Sequence, residues 1–157
     1  MALVRVLVDG YSLLHSCPEI APGKARHSPA AREELIYLLT QYADASATPI
    51  TVFFDGAGAP AGTPKASSTP QMEILYSKPG QTADDLIERA AHRLCAFGDV
   101  LVVTDDFAER DTVLSLGAMT SSCANFLHTI ETALQEMDSD LKRHNRGELG
   151  RFRRPRN

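Results

Sequence analysis

No apolar run in this chain of 157 residues approaches the ~20 that a membrane-spanning helix needs, so no membrane is expected among its partners. Cysteine is scarce. Cys17, Cys95 and Cys123 are odd in number, far apart and in no metal-ligand spacing. That excludes a disulfide scaffold and favours free thiols in a reducing cytoplasm. There is no GxxxxGK[ST] for a phosphate-binding loop and no GxGxxG for a dinucleotide. Asp9 is followed by Gly10 and Tyr11, so the Asp-x-Asp of a dehalogenase-type phosphatase is missing. Ser12 and His15 offer parts of a serine hydrolase, but no G-x-S-x-G elbow supports one. His15 and His92 read as ordinary surface or part-buried residues. The N-terminus "MALVRVLVDG" has no long hydrophobic core before its first aspartate and reads as a strand, not a secretory signal.

What is present is charge, unevenly spread. The net charge of −4 conceals a tail from Lys142 onward carrying +6 and a preceding body of 141 residues carrying −10. An acidic body with a basic tail suits contact with a nucleic acid or another polyanion, the rival being a tail that only aids solubility.

Apolar patterning sets the elements. "LVRVLV" (3–8), "ITVFF" (50–54), "EILYS" (73–77) and "VLVV" (100–103) read as strands, with "AMTS" (118–121) a short fifth. Helices are expected after the first strand, over Pro29–Ala43, from Thr82, over Phe107–Gly117 and from Cys123 to about Met137. Pro29 suits a first helical turn, and Thr82 with Asp85 resembles a capping box. Residues 57–71, "AGAPAGTPKASSTPQ", form a long loop of small residues. Strands alternating with helices give an α/β fold on a mainly parallel sheet, in which ligands bind beyond the carboxyl ends of the strands.

Those ends are acidic. "VLVDG", "VFFDG" and "VVTDD" each run into aspartate, and a parallel sheet brings them to one edge. The candidates there are Asp9, Asp55, Asp84, Asp85, Asp105, Asp106 and Asp111. Oxygen ligands without a His or Cys cluster suit Mg²⁺ or Mn²⁺ better than Zn²⁺. Turn chemistry remains the competing account of Asp55, and helix-terminus stabilisation that of Asp84 and Asp85.

"VLVDGYSLLH", "VFFDG", "YSKPGQTADDLIE" and "VVTDDFAERDTVLSLGA" occur in an order and spacing that resembles the NYN domains, specifically the YacP-like bacterial subgroup of the PIN-like nuclease superfamily. The likeness covers about Leu3 to Leu127. It implies a PIN-like Rossmannoid three-layer sandwich and a metal-dependent endoribonuclease, with a relative in the subgroup that acts on messenger RNA at the ribosome. It further implies Asp9, Asp84, Asp85 and Asp106 as catalytic acids, and Asp9, Asp84, Asp106 and Asp111 as metal ligands. Ser12, Thr104, Arg110 and Lys78 fall at substrate-binding places. Two departures stand out: Ser12 replaces the Asn of Asp-Gly-Tyr-Asn, and Asp105 replaces the serine of Thr-Ser-Asp.

The expectation is therefore a nuclease domain over 1–140 with a flexible basic tail over 141–157. It would hold Mg²⁺ or Mn²⁺ and hydrolyse single-stranded or ribosome-engaged RNA by metal-activated water, leaving a 5′-phosphate and a 3′-hydroxyl. Lys65, Lys78 and the tail arginines would offset phosphate charge, and Phe152 would stack on a base. The alternative is an RNA- or ribosome-binding module of the same fold with little or no activity, which Ser12 favours. DNA cleavage is a third reading.

Overall fold

The computed structural model describes residues 3–56 and 68–153, with side chains as far as Gly147. Lys65 and most of the expected small-residue loop lie outside the described residues, as do the side chain of Phe152 and the tail arginines from Arg151 on.

Five strands form one parallel sheet: β1 (Leu3–Asp9), β2 (Ile50–Phe54), β3 (Met72–Tyr76), β4 (Asp99–Val103) and β5 (Met119–Ser121). Their order is β3-β2-β1-β4-β5, which puts β1 at the centre, paired with both β2 and β4. Helices cover both faces: α1 (Gly10–Ser16), α2 (Pro29–Ser46), α3 (Ala83–Leu94), α4 (Phe107–Ser115) and α5 (Cys123–Arg153). The expected α/β architecture, helices on either side of a parallel sheet, is what the chain adopts.

The period-2 alternation of a strand explains how one short sequence serves two cores. Val6 and Val8 face a core built with Leu35 and Leu39 of α2 and Phe126 and Ile130 of α5. Leu7, between them, faces the opposite core with Ile87 of α3 and Val113 of α4. β2 is buried along its whole length, as a central parallel strand covered on both faces must be. Among the described residues no helix is long and apolar enough to cross a membrane.

The two Asp-Gly pairs have a reason that differs from turn chemistry. Neither Gly10 nor Gly56 has a positive φ. A Cβ on Gly10 would stand 2.3 Å from Phe54 Cε1, and one on Gly56 2.3 Å from the Ser77 carbonyl oxygen. Glycine there lets the chain leave β1 and β2 under close neighbours, so each preceding aspartate stays at the sheet edge.

The last helix differs from expectation. It does not stop near Met137 but continues as backbone helix to Arg153, into the segment expected to be a flexible tail. Its first turns pack Phe126 and Ile130 into the core, whereas residues 135–147 are exposed. Lys, Arg and Glu are good helix formers, and Lys142 pairs with Asp138 at 3.0 Å one turn earlier, so a helix once nucleated by packing persists into solvent.

Candidate active site

Asp9 ends the central strand and caps α1, its Oδ1 accepting the Ser12 amide at 3.3 Å. In register with Phe53 of β2, and directly after Val8, which is paired on both sides, it is held by the sheet rather than by a loop. Burial raises its carboxyl to about 6, the nearby charges of Asp84, Asp106 and Asp55 adding to the effect against the Ser12 amide. Asp84 reaches the same place from the first turn of α3.

The third member is a residue for which the sequence argued no site role. Glu109 of α4 is only 3 % exposed. Its Oε2 accepts from Thr104 Oγ1 at 3.3 Å, but its Oε1 is buried with no hydrogen-bond partner among the described residues. Burial, contact with the Asp84 carboxylate and the charge of Asp9 hold its carboxyl far above the usual range. Asp9, Asp84 and Glu109 each offer an oxygen within 4.8 Å of the others. At an effective dielectric of about 20, two unit charges ~5 Å apart repel by about 3 kcal/mol. Three carboxylates at this spacing cannot all stay ionised without a cation.

Asp106 stands beside this group and lines the same cleft, but its Oδ1 caps α4 by accepting the amides of Ala108 (2.9 Å) and Glu109 (3.4 Å). It acts at the rim, outside the close trio. The cleft, about 460 Å³, is lined on this side by Asp9, Asp55, Asp84 and Asp106 with Ser12. Tyr11, His15, Arg26 and His27 line it as well.

Other expected site residues are employed elsewhere. Asp85 is exposed and completes the α3 capping box: its Oδ2 accepts the Thr82 amide at 3.1 Å while Thr82 Oγ1 accepts the Asp85 amide. Asp111 is exposed and lies two residues past Glu109, some 200° around the helix, outside the close group of Asp9, Asp84 and Glu109. Thr104 is wholly buried. Its hydroxyl donates to Glu109 and accepts the Asp106 amide at 3.1 Å, which fits a positioning residue and not a substrate contact. Lys78 is exposed on the loop between β3 and α3, and neither it nor Arg110 lines the cleft; Arg110 sits 5.5 Å from the Phe107 ring centroid.

Asp105 also turns away. Its Oδ1 accepts the Cys123 amide at 2.9 Å at the start of α5, and Ser16 Oγ donates to its other oxygen. Burial opposes ionisation, but these hydrogen bonds from Ser16 and Cys123 hold it below the usual carboxylate range. Ser12 Oγ lies 3.5 Å from the Asp105 amide and 3.7 Å from Cys123 Sγ. The Asp105 substitution thus docks α5 and does not add charge to the trio. All three cysteines are free thiols.

The donor set fits a hard divalent cation. It is three carboxylates from three elements, with no sulfur or imidazole, and one buried oxygen that has no donor among the described residues.

Comparison with known proteins agrees with this architecture. The curated protein YacP of Bacillus subtilis (strain 168), described as uncharacterized, is 27 % identical over 139 residues, spanning 88 % of this chain and 81 % of YacP. The crystal structure of Rae1 (YacP) from Bacillus subtilis superposes with a TM-score of 0.78 at 26 % identity, covering 96 % of this chain and 85 % of that one. A tryptophan-to-leucine mutant of Rae1 gives 0.75 at 25 % identity, covering 90 % and 83 %. The model of the YacP-like NYN domain matches residues 6–154, from the middle of the central strand through the whole of α5, and the chain belongs to that family.

Proposed function

We propose that this protein is a metal-dependent endoribonuclease that cuts single-stranded RNA, with messenger RNA engaged on the ribosome among its substrates. The observation that carries the reading is Glu109 Oε1, buried beside Asp9 and Asp84 with no donor among the described residues. A buried carboxylate oxygen facing two other carboxylates is tolerable only with a shared proton or a cation. Membership of a family with nuclease character supports the cation.

Asp9, Asp84 and Glu109 would hold Mg²⁺ or Mn²⁺. A divalent ion there supplies Lewis-acid activation of water and offsets charge on the phosphodiester under attack. The chain supplies the rest. Asp9 is immobile because the central strand and the Ser12 amide hold it. Thr104 and the Asp106 cap fix the first turn of α4 and so aim Glu109. Asp106, which lines the cleft at its rim, would orient the attacking water by accepting its hydrogen bond. In-line attack expels the 3′-oxygen, which takes a proton, and leaves a 5′-phosphate. Free thiols and an RNA substrate fit a cytoplasmic enzyme.

A second reading, a binding module with little activity, is favoured by Ser12. Its hydroxyl is directed to Cys123 and the Asp105 amide, where the family's asparagine would carry a longer amide. The deciding experiment is cleavage of an end-labelled single-stranded RNA, free and ribosome-engaged, in Mn²⁺, Mg²⁺ or EDTA. The parent is expected to cut with metal only, and Asp9→Asn and Glu109→Gln to lose at least a hundredfold in rate. RNA of both kinds left intact would overturn the nuclease in favour of the binding module. Equal cutting of DNA of the same sequence would remove the restriction to RNA.

A further inference from the structure

The wall of the cleft that bears no acid is built from a turn. Ser28 N–H donates to the Ala25 carbonyl at 3.0 Å, which makes Arg26 and His27 the two central residues of a hydrogen-bonded turn just before α2. Ser28 then caps α2 through the Ala31 amide. The turn is fastened from beneath by Arg32, a cation only 3 % exposed. Its Nη1 donates to the His27 carbonyl at 2.9 Å and to Tyr11 Oη at 3.1 Å. The Tyr11 ring in turn meets the His27 ring, with centroids 4.4 Å apart, and the Phe54 ring at 5.1 Å.

A buried guanidinium is costly to desolvate and must be satisfied by hydrogen bonds. Here its hydrogen bonds go to the turn and to α1. The result is a rigid platform on which Arg26 and His27 line the same cleft as Asp9, Asp84 and Asp106. Arg26 is exposed and has no ion pair among the described residues, although four aspartates line that cleft. A guanidinium held beside acids without pairing to them remains available to an anion, and its planar fork suits two phosphate oxygens.

We propose that the Ala25–Ser28 turn is a phosphate subsite for single-stranded nucleic acid. Arg26, with His27 beside it, grips the backbone phosphate next to the one that lies over Asp9, Asp84 and Glu109. The strand then crosses the cleft from the cationic turn to the acidic edge, which sets its direction and register. This rests on the reading of the cleft as the place where RNA is bound and cut.

The test is fluorescence anisotropy of a labelled single-stranded RNA of about a dozen nucleotides. Binding is followed in Ca²⁺ over a KCl series, with intactness checked on a gel, and cleavage in Mn²⁺ is measured alongside. Arg26→Gln is expected to weaken binding three- to tenfold at low salt. It should also make the slope of log K against log salt shallower by about 0.7, the share of one single-strand phosphate contact. Arg26→Lys should restore the slope, and Arg93→Gln, at the far end of α3, should change neither. Unchanged affinity and slope in Arg26→Gln, with RNA still bound and cut, would overturn the subsite and leave the nuclease standing. Binding without cutting would remove the nuclease while the slopes still judge the turn. A parent protein that binds no RNA would overturn both.

Discussion

Replacing Asp9 by Asn should make the metal-free protein more stable, although it should destroy the site. Burial raises the Asp9 carboxyl to about 6 in the fold, against 3.8 for an aspartate free in water. The folded state therefore binds this proton more tightly than the unfolded chain does. The sign follows: the group costs nothing below pH ~4, its cost grows as pH rises from ~4 to ~6, and it is constant above. With 1.36 kcal/mol for each pH unit, the cost is about 3 kcal/mol at pH 7.5 and about 1 kcal/mol at pH 4.5. Asn removes the titrating group but keeps an oxygen for the Ser12 amide, so the α1 cap survives.

Urea unfolding in EDTA at several pH values measures this directly. Asp9→Asn should exceed the parent by about 1–3 kcal/mol at pH 7.5, and the gap should shrink by about two-thirds at pH 4.5. With Mn²⁺ the order should reverse, because only the parent gains by binding the ion. An Asp9→Asn protein less stable than the parent in EDTA at pH 7.5, or a gap independent of pH, would refute the picture of repelling buried carboxylates.

Glu109→Gln should fold normally, keep Thr104 as a partner and weaken the Mn²⁺-induced rise in Tm to the extent of at least tenfold in affinity. Asp111→Asn should leave that rise unchanged, and equal behaviour of the two variants would sink the assignment of Glu109. Gly56→Ala should cost about 1–3 kcal/mol in chemical denaturation, since its Cβ would sit 2.3 Å from a backbone carbonyl; a neutral result would mean that the β2 exit is more yielding than its geometry implies. Ala47 ends α2 with φ 54° and ψ 30°, so Ala47→Gly should stabilise by about 0.5–1 kcal/mol and raise Tm by a few degrees; a loss of stability would contradict it.

The sheet was legible because its signal is local. Apolar runs ending in aspartate at 9, 55 and 105 state both the strand and the edge where it stops, and parallel pairing does the rest. Thr82 and Asp85 were legible as a cap for the same reason, although the cap also withdraws Asp85 from the site. The extent of α5 was not legible, because a basic run reads equally as tail or as helix until packing of Phe126 and Ile130 nucleates one. The turn at Arg26 and His27 was hidden for a different reason: what fixes it is Arg32, whose burial no local pattern announces.

Glu109 shows where proximity in sequence misleads. In "TDDFAERD" the acids look like one cluster, yet the backbone sends them four ways. Asp105 goes to the start of α5, Asp106 to the start of α4, Glu109 into the core and Asp111 to solvent. The signal that separates them is helical period. Glu109 lies one turn before Val113, which is wholly buried, so it shares the apolar face of α4, where an acid is costly unless something binds it. Asp111, off that face, bears no such cost. The acid worth following is the one placed where a hydrophobic residue belongs, since a fold bears that desolvation only where a cation or a proton recovers it.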